Sequence, residues 1–192
     1  MSLPIKILAF AGSARRESVN QRLVEAAAKL TDVDVTVISL SDYPLPLYDG
    51  DLESAEGMPG KAKELKALMG AHHGFLLACL EYNGSITPLL KNVIDWCSRP
   101  ATEDEPPLVS YRGKVAGLLG ASPGGLGGLR GLCHVRGILG NIGVTVVPNQ
   151  HALGGAYEAF DESGALKDAR AGQGVQRVVD QLVKTTQALA AE

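Results

Sequence analysis

The chain of 192 residues is 45% hydrophobic and 20% charged, the composition of a globular protein long enough to bury a full core. Its formal net charge of −3 leaves no basic surplus to displace counterions from a nucleic-acid backbone, so no nucleic-acid partner is expected. The same charge is too mild for the strongly acidic face of an electron carrier that docks on other proteins.

Residues 5–10 form a short apolar run closed by Ala11-Gly12-Ser13, which predicts a strand buried on both faces, as in a parallel sheet. Residues 18–30 follow with a helical pattern, Leu23, Val24, Ala27 and Leu30 falling on one side. Residues 33–38 read as a second strand. Residues 41–60, rich in Pro, Gly and Asp, read as a long loop, and residues 59–69 resume helix with Pro59 in the first turn. Residues 74–80 are a third apolar strand and 86–98 a third helix, in which Leu90, Ile94 and Trp96 read as core at helical spacing. Residues 100–107 make a second polar loop, its acidic run at 103–105 expected in solvent. Residues 114–120 are the fourth strand, 126–139 a glycine-interrupted helix and 144–147 the fifth strand. An irregular stretch over 148–166 leads to a closing helix over 173–190.

Five short strands alternating with helices predict a single α/β domain with helices on both faces of a parallel sheet, over residues 1–192. The right-handed crossover rule leaves few topologies, of which the flavodoxin-like strand order 2-1-3-4-5 is the expected one. The three cysteines (79, 97 and 133) lie far apart without a C-x-x-C spacing, so neither disulfides nor a zinc site is expected. Each is expected to behave as a small buried hydrophobe. His72 and His73 point opposite ways and lack a ligand cluster, and His134 and His151 read as structural or solvent-facing. No basic region precedes a long apolar stretch at the start, and no run is long enough to span a bilayer; the expected location is the cytoplasm.

In open α/β sheets the ligand lies beyond the carboxyl ends of the strands. The first such loop reads Gly12-Ser13-Ala14-Arg15-Arg16-Glu17-Ser18-Val19-Asn20. Small and hydroxylated residues here leave backbone N–H groups free, and the following helix adds the positive end of its dipole. Ser13, Ser18 and Asn20 can donate hydrogen bonds and Arg15 a charge-assisted one, a chemistry suited to a phosphate monoester. Neither G-x-G-x-x-G nor Gly-Lys-Ser/Thr is present, which disfavours pyrophosphate and triphosphate. The plainer reading is that Ser18 merely caps the helix, with Arg15 and Arg16 on a solvated turn.

The loop after the third strand carries Glu81-Tyr82-Asn83-Gly84-Ser85. Tyr82 offers a flat apolar face, Asn83 and Ser85 offer groups for a heterocycle edge, and Gly84 lets a ring approach the backbone. Together with the downstream Lys91-Asn-x-x-Asp-Trp96, the first loop, Pro46-Leu47-Tyr48-Asp49 and Gly120-Ala-Ser-Pro-Gly-Gly125, this sequence resembles the NADPH-dependent FMN reductases of the flavodoxin-like superfamily. The resemblance implies FMN with its phosphate on Ser13, Arg15, Ser18 and Asn20, and its ring against Glu81, Tyr82, Asn83, Gly84 and Ser85. Ser122, Gly124 and Gly125 would close the third side. It further implies reduction by NADPH or NADH, a small acceptor (free flavin, quinone, azo compound or metal oxyanion) and a homodimer or homotetramer. Within such assemblies, segment 46–49 of one subunit lies near another's flavin. One position departs from the family: Leu80 stands where proline is usual, which restores φ freedom and a backbone N–H at the ring loop. No catalytic side chain is expected, because the flavin itself carries the chemistry. The alternatives are a flavodoxin-like carrier and a non-catalytic flavin-binding module.

Overall fold

The computed structural model describes residues 4–191. Five strands, β1 (Lys6–Ala11), β2 (Asp34–Ile38), β3 (Gly74–Ala78), β6 (Val115–Ala121) and β7 (Thr145–Leu153), form one parallel sheet in the order β2-β1-β3-β6-β7. This is the expected flavodoxin-like order. Between them run α1 (Val19–Ala28), α2 (Gly50–Glu56), α3 (Gly60–Gly70), α4 (Pro88–Ser98) and α5 (Leu129–Asn141), and α6 (Ala169–Leu189) closes the chain. Two further strands among the described residues, β4 (Glu81–Tyr82) and β5 (Ser85–Ile86), pair as a small antiparallel hairpin.

The apolar runs at β1, β3 and β6 are continuous because each strand is covered on both faces. Side chains alternate across a strand. Ile7, Ala9 and Ala11 therefore meet α1 and α6 (Leu23, Val24, Val175, Val178), while Leu8 and Phe10 meet α3, α4 and α5 (Leu65, Leu90, Leu132). The carboxyl ends of β1, β3 and β6 lie at one sheet edge, since Ala11 pairs with Ala78 and Ala78 with Leu119. The chain turns to opposite sides after β1 and β3, so the crevice between their ends is the switch point where such sheets take ligands.

Several expectations are corrected. The predicted loop over 41–60 contains α2 and, at its start, part of a 3₁₀ turn at Leu40–Asp42; Asp49 caps α2 by accepting the amides of Asp51 and Leu52. The third helix begins at Pro88, because Ser85 and Ile86 are taken into the hairpin and Thr87 caps the helix. β7 runs on to Leu153, through residues assigned to an irregular stretch, and α6 starts four residues earlier than its apolar pattern (Ala169 against 173). Trp96 is buried with Met58 and Ala62, apart from Leu90 and Ile94. Cys79 and Cys97 are buried as expected, and burial pushes both thiols up to about 12, but Cys133 is exposed on α5. Glu103 and Asp104 face solvent, whereas Glu105 turns inward to pair with the buried Lys66. His72 is buried, bonded to the Leu68 carbonyl at 2.7 Å and Thr36 Oγ1 at 2.9 Å.

Candidate functional site

Sequence-local rules build the first loop. Ser18 adopts the extended backbone of an N-cap (φ −73°, ψ 119°) and its Oγ accepts the Gln21 amide at 3.3 Å. Ser13 Oγ accepts the Arg15 amide at 3.3 Å. Each serine thus spends an oxygen lone pair on the backbone and keeps its O–H to donate outward. The first amides of α1, at Val19 and Asn20, have no partner within the helix and sit at the positive end of its dipole. Ser13, Arg15, Ser18 and Asn20 all line one small hollow of about 40 Å³, with Glu17, Leu80, Pro123 and Tyr157. Glu17 opposes an anion there, which leaves Arg15 as the cation that offsets it.

Asn20 differs from a simple ligand donor. Fully buried, it donates Nδ2–H to the Ala121 carbonyl and accepts the Ala121 amide, both at 2.9 Å. Its carboxamide ties α1 to the end of β6 and so fixes the first loop against the third. Ser18 caps the helix and Arg15 and Arg16 are exposed, as the plainer reading has it, while Ser18 and Arg15 also line the hollow.

Asn83 (φ +51°) and Gly84 (φ +80°) both occupy the left-handed region, the requirement of a two-residue turn that joins twisted antiparallel strands. The Asn-Gly pair therefore folds β4 and β5 into their hairpin directly after Leu80. Glu81 anchors it to α5: Oε1 accepts Arg130 Nε at 2.9 Å and Oε2 accepts the Gly131 amide at 3.1 Å. Gly131 permits this approach, since a Cβ there would lie 3.3 Å from that of Glu81. Burial pushes the Glu81 carboxyl up, but the Gly131 amide and the Arg130 guanidinium outweigh it and hold it below the usual carboxylate range.

The third loop, residues 122–125, is held from behind. The Ser122 amide donates to the Leu153 carbonyl at 3.1 Å, and the Ala156 amide donates to the Ser122 carbonyl at 3.1 Å. At Gly127 (φ +61°) a Cβ would fall 2.5 Å from the Ala152 carbonyl carbon, so only glycine lets this loop reach the end of β7.

Hairpin and third loop together border a cavity of about 500 Å³ lined by Glu81, Asn83, Gly84, Ser122, Gly124, Gly125, Leu126, Gly128 and Arg130. That volume is in the range of about 300–1,000 Å³ typical of organic-ligand sites. Pro123 lines the small hollow and its neighbour Ser122 the larger cavity. All four residues expected to hold a phosphate share the first space, and six of the eight expected around the ring share the second. Tyr82 and Ser85 line neither; Tyr82 stands 49% exposed at the hairpin rim. The donor set fits FMN: hydroxyls, a cation and free amides for the phosphate, then a larger, mixed polar and apolar space for a ring. Arg130, Leu126 and Tyr157 are contributed without a motif. The sequence signal for Arg130 is a cation beside a glycine-rich turn, whereas Tyr157 lies in a stretch without pattern. Among the described residues no cluster of three or more His, Cys, Asp or Glu could hold a metal ion.

Comparison with known proteins gives concordant matches. The family model described as NADPH-dependent FMN reductase matches residues 5–158. An NAD(P)H-dependent FMN reductase of Pseudomonas aeruginosa is 33% identical over 183 residues, 95% of each chain. A quinone reductase of Pseudomonas putida is 32% identical over 169 residues, 88% of each chain. Among solved structures, the flavoenzyme NAD(P)H:(acceptor) oxidoreductase of Paracoccus denitrificans superposes with a TM-score of 0.78 at 27% identity, covering 96% of this chain and 98% of that one.

Proposed function

The chain belongs to the NADPH-dependent FMN reductase family, and from that premise we propose which of its residues hold the flavin and how. The protein is an NAD(P)H-dependent flavin oxidoreductase that passes electrons through FMN to a small acceptor. When bound, FMN supplies the two-electron carrier between nicotinamide and acceptor.

The Ser13 and Ser18 hydroxyls, the Arg15 guanidinium and the open amides of α1 hold the phosphate. Asn20 sets the distance between this cradle and the third loop through its bonds to Ala121. Asn83, Gly84, Ser122, Gly124 and Gly125 border the ring, with Tyr82 covering its outer edge and Glu81 fixing the hairpin through α5. A reduced ring would carry negative charge, and the backbone amides of Gly124 and Gly125 would favour it, since the Ser122 amide is bonded to Leu153 and residue 123 is proline. The observation that carries this assignment is the sharing of one hollow by the four cradle residues, beside a cavity lined by the two other loops.

The assembly we infer is a homodimer or homotetramer of single-domain subunits in the cytoplasm. Supporting it, Asn92 Nδ2 and Trp96 Nε1 each donate to the Pro46 carbonyl at 2.8 Å, and Asn92 Oδ1 accepts the Tyr48 amide at 2.7 Å. These bonds hold segment 46–49 rigid with Leu47 projecting, 77% exposed. Among the described residues no helix is long and apolar enough to cross a membrane. Flavin fluorescence titration tests the site: Arg15→Ala is expected to weaken FMN binding, and unchanged affinity would remove Arg15 from the phosphate site.

A further inference from the structure

Thr87 stands where the hairpin ends and α4 begins, and it is buried, 1% exposed. Its Oγ1 accepts the Leu90 amide at 3.3 Å, the ordinary bond of a helix cap. A cap needs only an acceptor, so the Thr87 O–H is left over for another partner. It is donated to the Gly12 carbonyl, 75 positions away in the chain, at 2.8 Å. Gly12 opens the first loop, and the approach depends on its being glycine. A Cβ there would lie 3.1 Å from that of Leu90 and 3.4 Å from Thr87 Oγ1. The Gly12 amide in turn donates to the Ala78 carbonyl, at the end of β3, at 2.9 Å. Both backbone groups of Gly12 are thus held before the cradle begins.

The Gly12 carbonyl and the Ser13 amide belong to one planar trans peptide and point opposite ways across it. By holding the carbonyl, Thr87 fixes that plane and turns the Ser13 N–H to the side away from itself. Among the described residues this amide has no acceptor, although Ser13 is buried and lines the small hollow. Buried amides are nearly always paired, so an unpaired one beside the hollow is a donor suited to an acceptor from outside the chain.

We propose that Thr87 is a positioning residue for the flavin, a role that rests on the assignment of the cradle to the phosphate and of the hairpin to the ring. Through the Gly12–Ser13 peptide it aims the Ser13 amide at the phosphate. It also keeps the cradle at a fixed distance from the hairpin, which ends one residue before it. Asn20 fastens the far end of the cradle to β6, so the loop is held from both ends. FMN engages cradle and ring loops together, and the gain from doing so exists only while the two are in register. Riboflavin, which lacks the phosphate, engages the ring loops alone.

The test titrates the full chain, freed of flavin, with FMN and with riboflavin, each followed by flavin fluorescence. Thr87→Val keeps the shape but can neither cap α4 nor bond Gly12, whereas Thr87→Ser keeps both bonds. Thr87→Val is expected to weaken FMN binding by roughly tenfold relative to riboflavin, and Thr87→Ser to retain the wild-type ratio. A purely structural role lowers both affinities together, or the melting temperature alone, and leaves that ratio where it was. An unaltered ratio in Thr87→Val, or an equal loss in Thr87→Ser, overturns the role of Thr87. Where Thr87→Val does not fold, Thr87→Cys, close in size and only a weak donor, is read by the same ratio. Wild type that binds riboflavin as tightly as FMN overturns the cradle assignment itself, and the role of Thr87 falls with it. A wild-type preference for FMN that survives in the variant overturns the role of Thr87 alone.

Discussion

Ser13 and Ser18 each accept a backbone amide hydrogen, which leaves the O–H of each free, and both residues line the small hollow. Arg15 adds the cation, and a charge-assisted bond to phosphate is worth about 1.5–3 kcal/mol. Arg15→Ala should therefore raise the FMN dissociation constant by roughly tenfold to a hundredfold in a fluorescence titration. Asn20 acts on stability instead. Removing its carboxamide leaves the buried amide and carbonyl of Ala121 unpaired, a loss of about 2–4 kcal/mol. Asn20→Ala should melt roughly 4–16 °C lower by calorimetry. That Ser13, Arg15 and Ser18 would share one place was legible in the sequence because all three lie on one strand-to-helix turn. The commitment of Asn20 to a strand 101 residues away depends on tertiary placement, which no local pattern carries.

At the scale of elements, the hairpin was present in the sequence as Asn83-Gly84 but hidden by its context. Strands of two residues leave no alternation to count, and the adjoining apolar residues belong to a helix pattern. β7 was read short for a related reason: Pro148-Asn149 resembles a loop, yet the strand passes it with a register irregularity between Ala116 and Leu118 on its partner. Helix α5 offers a matched pair of substitutions. Gly127, just before it, leaves no room for a Cβ, whereas nothing lies within 4 Å of one at Gly137. Denaturant unfolding should show Gly127→Ala destabilised by more than about 1 kcal/mol and Gly137→Ala stabilised by about 0.5–1 kcal/mol.

For the molecule as a whole, burial and ion pairing fix how it responds to reagents and to acid. Burial lifts the Cys79 and Cys97 thiols to about 12, and both are enclosed, whereas Cys133 is exposed. A thiol reagent at neutral pH should therefore label one cysteine in the native protein and all three in denaturant. Burial pushes the Glu81 and Glu105 carboxyls up, but their partners outweigh it: Gly131 and Arg130 for Glu81, Lys66 and the Ala101 amide for Glu105. Both folded-state values lie below the unfolded one, so the stability these groups contribute is present above the ordinary glutamate range and is lost as pH falls from it through the lower folded-state values. Glu81→Gln should accordingly cost stability at pH 7 and progressively less toward pH 3, measured by urea unfolding across that range. The sheet order was readable from the alternation of elements, since few topologies satisfy the crossover rule. The sharing of the small hollow by Leu80, Pro123 and Tyr157 was not, because three distant loops meet there only once the sheet is assembled.

The proposed function requires flavin held at the switch point and reduced there by a nicotinamide. Its most direct test is an anaerobic absorbance titration of the FMN-loaded protein with NADPH, followed by a quinone. The flavin band is expected to bleach with one equivalent of NADPH and to return when the quinone is added. Bound flavin that stays oxidised with both NADPH and NADH would contradict it.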